Sequence, residues 1–153
     1  MELWQGLKVV HILSVVVALG ANMTYLFWMG RAAAEPAETV FIIESLRKLD
    51  RRVANPAYIA AALAGLGIVL TGPYGLTSPW ILTAIFIYVL VAVLGITVYA
   101  PAIRTQLDLA QRAPTSPAYA TAARRSQALF FFVTGLVVLI VLLMVLKPSL
   151  WAG

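Results

Sequence analysis

The residue in this chain best suited to chemistry is His11, its single histidine. It lies in a long apolar segment, about one helical turn inside the predicted membrane boundary. An imidazole in hydrocarbon is costly unless it is hydrogen-bonded, ligates a metal or titrates. Two interpretations stay open: His11 is the axial ligand of a haem or of another metal, or it is hydrogen-bonded to a serine, a tyrosine or a backbone carbonyl of a neighbouring helix.

A haem held by this histidine either takes its second axial group from elsewhere or leaves that position open. One histidine excludes bis-histidine ligation within one chain. The remaining possibilities are Met23 or Met29, a geometry that bridges two subunits, and an open sixth position.

Two further candidate site residues share the helical face of His11. Lys8 precedes it by one turn and either binds a haem propionate or snorkels to the outer interface. Asn22, near mid-membrane, either cross-links neighbouring helices or contributes to the cofactor site. The face, which also carries Trp4, Ser14, Ala18 and Tyr25, is predicted to point into a helix bundle.

Composition places the whole chain in a membrane. Of 153 residues 62% are hydrophobic and 11% charged, whereas soluble domains have about 25% charged residues. Four apolar segments, at about 9–29, 57–70, 80–99 and 129–146, are long enough to be spans. They predict a single membrane domain, 1–153, with an all-α antiparallel four-helix bundle.

The basic residues predict the orientation. Nine of the 11 lysines and arginines lie in the connections 31–54 and 101–126, which the positive-inside rule places in the cytoplasm. Both termini are then outside, in the inner (plasma) membrane, and Trp4, Trp80 and Trp151 fall at the outer interface. Because the charge follows the topology, it does not indicate a nucleic-acid partner.

The connection before the second span contains an amphipathic pattern. Ile42, Leu46, Leu49 and Val53 recur at helical spacing, which predicts a helix that lies on the membrane surface or leads into the span. Asn55-Pro56 then predicts an N-cap. The span itself is rich in alanine and glycine, which favours close packing inside the bundle or at the contact of a homodimer or larger complex.

Several function classes are excluded or disfavoured. The chain has no cysteine, hence no disulfide, iron–sulfur or thiol chemistry. No carboxylate lies in a span, which disfavours a proton-driven transporter, and no phosphate loop or Ser/His/Asp set is present. The sequence therefore predicts no catalytic residues.

The opening Leu7-Lys8-Val9-Val10-His11-Ile12 resembles the start of a group of small bacterial four-helix membrane proteins. That superfamily includes the copper resistance protein D domain and the HemJ-type protoporphyrinogen oxidase. The chain is most similar to an uncharacterised family of predicted integral membrane proteins. The resemblance implies haem b at His11. The oxidase relatives also use a lysine in the third helix just past a tryptophan, but residues 80–85 contain none, so oxidation of protoporphyrinogen is not expected.

Three functional hypotheses follow. The first is a redox or electron-transfer accessory that binds b-type haem through His11. The second is a non-catalytic membrane subunit or scaffold, in which His11 is only hydrogen-bonded. The third, a permease for a metal or a small molecule, is disfavoured by the absence of carboxylates in the spans.

Overall fold

The computed structural model describes residues 2–148, and every regular element in that range is helical. Four helical segments are long and apolar enough to cross a membrane: Leu3–Ala34, Pro36–Thr71, Pro79–Arg112 and Pro117–Leu146. With about 1.5 Å of rise per residue, each is longer than the roughly 30 Å hydrocarbon core and extends beyond it. The predicted all-α fold class with four spans is confirmed.

The second and third of these segments are each built from two α-helices joined by a π-helical turn. The helices are α1 (Leu3–Ala34), α2 (Thr39–Leu49), α3 (Asn55–Thr71), α4 (Pro79–Leu94), α5 (Ala100–Arg112) and α6 (Pro117–Leu146). The π-helical turns are Asp50–Ala54, between α2 and α3, and Gly95–Tyr99, between α4 and α5.

The chain divides into two compact units, one ending at Leu76 and the other beginning at Thr77. In the first unit, α1 and α3 form an antiparallel hairpin. The short 3₁₀ turn Pro36–Glu38 follows α1 and leads into α2, which continues into α3. Small and apolar residues fill the contact: Ala18 and Tyr25 from α1, and Ala57, Ala61, Ala64 and Ile68 from α3.

The predicted amphipathic helix is α2, and it leads into the second span. Ile42 and Leu46 are buried as expected, but Val53 is 38% exposed and Ala54 is buried in its place. The π-helical turn explains this shift, because its wider turn moves the buried face on by one residue. The predicted N-cap at Asn55 is wrong, since its backbone is helical (φ −62°, ψ −47°) and the helix runs through it.

Both π-helical turns precede a proline at the same distance. Pro56 and Pro101 each lie two residues after the last π residue, Ala54 or Tyr99. A proline inside a helix lacks an N–H donor, and its ring clashes with the carbonyl four residues earlier. That carbonyl lies within the π-helical turn in both cases, so the wider turn accommodates the proline and the helix continues.

In the second unit, α6 packs against both α4 and α5. Apolar residues buried in this unit include Ile81, Ala84 and Ile87 from α4 and Phe130, Val137 and Leu143 from α6. The helix is interrupted between α5 and α6: α5 ends at Arg112, and the side chain of Ser116 caps α6 by accepting a hydrogen bond from the backbone N–H of Tyr119.

Aromatic residues hold the helix ends that the predicted topology places outside. The Trp4 ring meets Tyr74 edge-on, with centroids 6.4 Å apart. The Lys147 ammonium lies 5.8 Å from the centre of the Trp80 ring, a cation–π contact between the end of α6 and the start of α4. Trp151, the third predicted outer tryptophan, lies outside the described residues.

The predicted orientation can be tested in a chain that has no native cysteine. We expect Thr77→Cys, in the exposed loop before α4, to react with a membrane-impermeant maleimide in intact cells. Thr115→Cys, in the exposed loop before α6, should react only after lysis. The unsubstituted chain is the control for background labelling. Labelling of Thr115→Cys in intact cells would contradict a cytoplasmic 101–126 connection.

Candidate cofactor site at His11

The polar face of α1 is directed towards α3. Three of its residues contact that helix or the residues just after it: His11 and Asn22 through hydrogen bonds, and Trp4 beside Gly72. Ala18 and Tyr25 on the same face are buried. Within the first unit, the face therefore turns inward as the sequence predicts.

The His11 imidazole is bound through one nitrogen. Its Nδ1 lies 2.7 Å from the backbone carbonyl oxygen of Ala61 in α3. A carbonyl only accepts hydrogen bonds, so Nδ1 must carry the proton. In the neutral ring Nε2 then has no proton and presents its lone pair. The hydrogen bond to a backbone carbonyl of a neighbouring helix, the second interpretation of His11, is therefore present. A metal-ligating histidine is commonly held by its second nitrogen in the same way.

Gly65 makes room for the ring. A Cβ atom at this position would lie 3.1 Å from both Cε1 and Nδ1 of His11, closer than most real contacts of that kind. Ala61 precedes Gly65 by one turn, so its carbonyl also accepts the α-helical bond from the Gly65 N–H. The missing side chain at Gly65 therefore allows the imidazole to reach that carbonyl.

The sequence did not single out Gly65 as a site residue. Its alanine- and glycine-rich span was interpreted only as a close-packing surface, inside the bundle or between subunits. The structure packs this surface within the chain: Ala57, Ala61 and Ala64 are buried, and Gly67 lies against the Leu7 side chain. Only the distance between Gly65 and His11 identifies Gly65 as a site residue. That distance is known only once the pairing of α1 with α3 is known.

Lys8 is exposed one turn from His11, towards the predicted outer side. Within the described part of the chain, no carboxylate pairs with it. Its position allows either of the predicted roles, a partner for an acidic group beside His11 or a side chain that reaches the membrane surface.

Asn22 is not part of the same site. Its Nδ2 donates a hydrogen bond to the Tyr58 hydroxyl, 2.8 Å away. Eleven residues separate it from His11 on α1, about 16 Å along the helix. The predicted cross-linking role of Asn22 is therefore the one that the geometry shows, between α1 and α3.

The ligand set available to an ion is small. Among residues 2–148, no group of three or more His, Asp or Glu side chains could hold a metal ion. Met23 and Met29 follow His11 on the same helix by about 18 and 27 Å, too far to reach an ion held at its ring. His11 thus offers one nitrogen, which suits a cofactor that brings its own equatorial ligands.

A second group of buried polar residues lies in the other unit. Gln106 on α5 and Ser126 on α6 are both 0% exposed. Their side-chain polar atoms form no hydrogen bond within residues 2–148. Such groups cost about 1–3 kcal/mol each. The sequence did not identify them, because Gln106 shares a turn with Arg104 and Asp108, which are exposed charged residues.

The hydrogen bond between Asn22 and Tyr58 predicts a measurable coupling between α1 and α3. We expect Tyr58→Phe to lower the free energy of unfolding in mixed micelles by about 0.5–2 kcal/mol, as is typical of interhelical bonds in membranes. Asn22→Leu should cost a similar amount, and the double variant little more than either. Strictly additive losses would show that the two side chains do not interact.

Comparison with known protein families identifies a match over nearly the whole chain. The DUF2269 family, described as predicted integral membrane proteins, matches residues 5–148, which include both units and every residue of the His11 site. No curated protein and no solved structure matches the chain. The match covers more than nine-tenths of the sequence, and the four candidate spans agree with the family's description. The chain belongs to the DUF2269 family of integral membrane proteins.

Proposed function

We propose that this integral membrane protein binds b-type haem through Nε2 of His11 and serves as a redox or electron-transfer accessory of the inner (plasma) membrane. The observation that carries the proposal is the 2.7 Å contact between His11 Nδ1 and the Ala61 carbonyl. It fixes the tautomer in which Nε2 is the ligating nitrogen. A bound haem would supply reversible one-electron chemistry.

The residues present fit such a group. Gly65 leaves space for the imidazole that any side chain would fill, and the hydrogen bond from Nδ1 to the Ala61 carbonyl orients the ring. Lys8 is exposed one turn away, where its ammonium can pair with a propionate. The stretch Lys8–Ile12 resembles the superfamily of HemJ-type oxidases and copper resistance proteins, and this resemblance supports the same assignment.

The proposal does not extend to catalysis. The stretch 80–85 holds no counterpart of the third-helix lysine of the oxidase relatives. Met23 and Met29 lie too far from His11 to be a second axial ligand. Among the candidate ligands that the sequence offered, His11 is therefore the residue that would hold the iron.

The scaffold hypothesis keeps one of its two features, because the His11 imidazole is hydrogen-bonded to a backbone carbonyl of a neighbouring helix, but its packing surface on α3 is used within the chain. The small residues of α3 that could pack on a partner are buried against α1. The exposed face of α3 carries large apolar residues instead, Ile59, Leu63, Leu66 and Leu70, which suit contact with lipid. Association with a second copy or a partner subunit stays a prediction.

The haem proposal predicts an absorption spectrum that depends on His11. Protein purified from haem-replete cells should show a Soret band, and α and β bands after reduction with dithionite. His11→Ala should lose them, because the chain has no second histidine. A colourless wild-type protein, or a full Soret band in His11→Ala, would overturn the proposal.

A second prediction concerns Gly65, whose missing side chain makes room for the His11 ring. Gly65→Ala places a methyl group 3.1 Å from Nδ1 and Cε1, so the imidazole must shift and its bond to Ala61 must lengthen. We expect weaker haem retention, about tenfold or more, and displaced α and β bands. Gly20→Ala is the matched control, because a Cβ there meets nothing within 4 Å. Equal spectra for the two variants would contradict the assigned role of Gly65.

A further inference from the structure

An open cleft of about 590 Å³ lies at the opposite end of the first unit from His11, where α1 ends and α2 begins. We call it the aromatic cleft. Its lining combines three aromatic rings, an ion pair and an aliphatic side chain: Phe27, Trp28, Phe41, Arg31, Glu38 and Ile42.

The predicted 9–29 span places the aromatic side of the cleft at the membrane interface. Phe27 and Trp28 occupy the last turn of the predicted 9–29 span, and their rings meet edge-on with centroids 5.6 Å apart. Phe27 is 69% exposed and Phe41 is 67% exposed. Tryptophan and phenylalanine at this depth contact the upper part of lipid chains, so the natural occupant of this wall is an acyl chain.

The polar rim presents one positive and one negative group side by side. Arg31 Nε donates to Glu38 Oε2 over 2.7 Å, and Arg31 Nη2 donates to Glu38 Oε1 over 3.1 Å. The two side chains are 50% and 43% exposed. Arginine has five N–H donors and a carboxylate accepts about four hydrogen bonds, so each partner retains capacity for a ligand.

This pairing selects among lipid headgroups. A purely anionic headgroup would meet an arginine whose charge is already balanced by Glu38. A headgroup with a phosphate and a primary ammonium matches both charges, because the phosphate can accept from Arg31 and the ammonium can donate to Glu38. A choline headgroup has the same charges but no N–H donor for the carboxylate.

We propose that the aromatic cleft is a binding site for a bilayer phospholipid with an ethanolamine headgroup. The phosphate binds Arg31, the ammonium binds Glu38, and one acyl chain lies along Phe27, Trp28 and Phe41. The site is independent of the haem proposal, since none of its residues lies near His11.

The test uses the fluorescence of Trp28 in the intact chain. Substituting Trp4, Trp80 and Trp151 by phenylalanine leaves Trp28 as the single tryptophan. The protein is reconstituted into phosphatidylcholine vesicles that contain the same mole fraction of brominated phosphatidylethanolamine, phosphatidylcholine or phosphatidylglycerol. Bromine quenches the indole only at contact, so quenching reports the lipid in the cleft.

We expect brominated phosphatidylethanolamine to bind at Trp28 about threefold or more tightly than the choline lipid, which corresponds to the gain of a charge-assisted hydrogen bond in a wet site. Glu38→Gln should abolish this preference while the choline lipid continues to quench, which shows that the variant is folded. Glu35→Gln is the matched control, because Glu35 is an exposed carboxylate outside the cleft lining.

Three results would overturn the proposal. Equal quenching by the ethanolamine and choline lipids would show that the Arg31–Glu38 ion pair does not distinguish the two headgroups. Stronger quenching by brominated phosphatidylglycerol would show that the cleft selects negative charge. A preference for ethanolamine that Glu38→Gln leaves intact would equally remove Glu38 from the site.

Discussion

The first unit depends on one constraint: polar groups on α1 have no water to bond with inside hydrocarbon and need partners on another helix. An unpaired polar group there costs several kcal/mol. The His11 imidazole and the Asn22 carboxamide find these partners in the Ala61 carbonyl and the Tyr58 hydroxyl. The two bonds lie about 16 Å apart along α1, so together they set both the rotation and the height of α1 against α3.

Small residues on α3 make these bonds possible. A backbone carbonyl in a helix is normally shielded by the side chain one turn further on. At Ala61 that residue is Gly65, so the imidazole can approach. The same lack of side-chain bulk admits Leu7 beside Gly67. Helix packing and the orientation of His11 are therefore coupled here, because the small residues that let the helices approach also let the imidazole reach the Ala61 carbonyl.

Two prolines illustrate why local rules are incomplete. The sequence predicts a helix start at Asn55-Pro56 and a kink or end at Ala100-Pro101. In the structure a π-helical turn precedes each proline and the helix continues. Continuation leaves fewer exposed backbone groups than a break near the bilayer. It also moves the buried face of the second segment, which is why Ala54 is buried and Val53 is not.

The sequence alone determined the all-α class and the four spans, and it singled out His11 as a candidate ligand, because hydropathy, length and residue type are properties of the chain itself. The role of Asn22 as a cross-link also followed from its residue type in a span. Only the tertiary structure showed that Gly65 seats His11, that Ala61 selects its tautomer, and that Arg31 pairs with Glu38 beside three aromatic rings. Each of these is a distance between residues far apart on a helix or on different helices. Such distances depend on which faces pack together and on the π-helical turn that shifts one of them, and no local pattern encodes them.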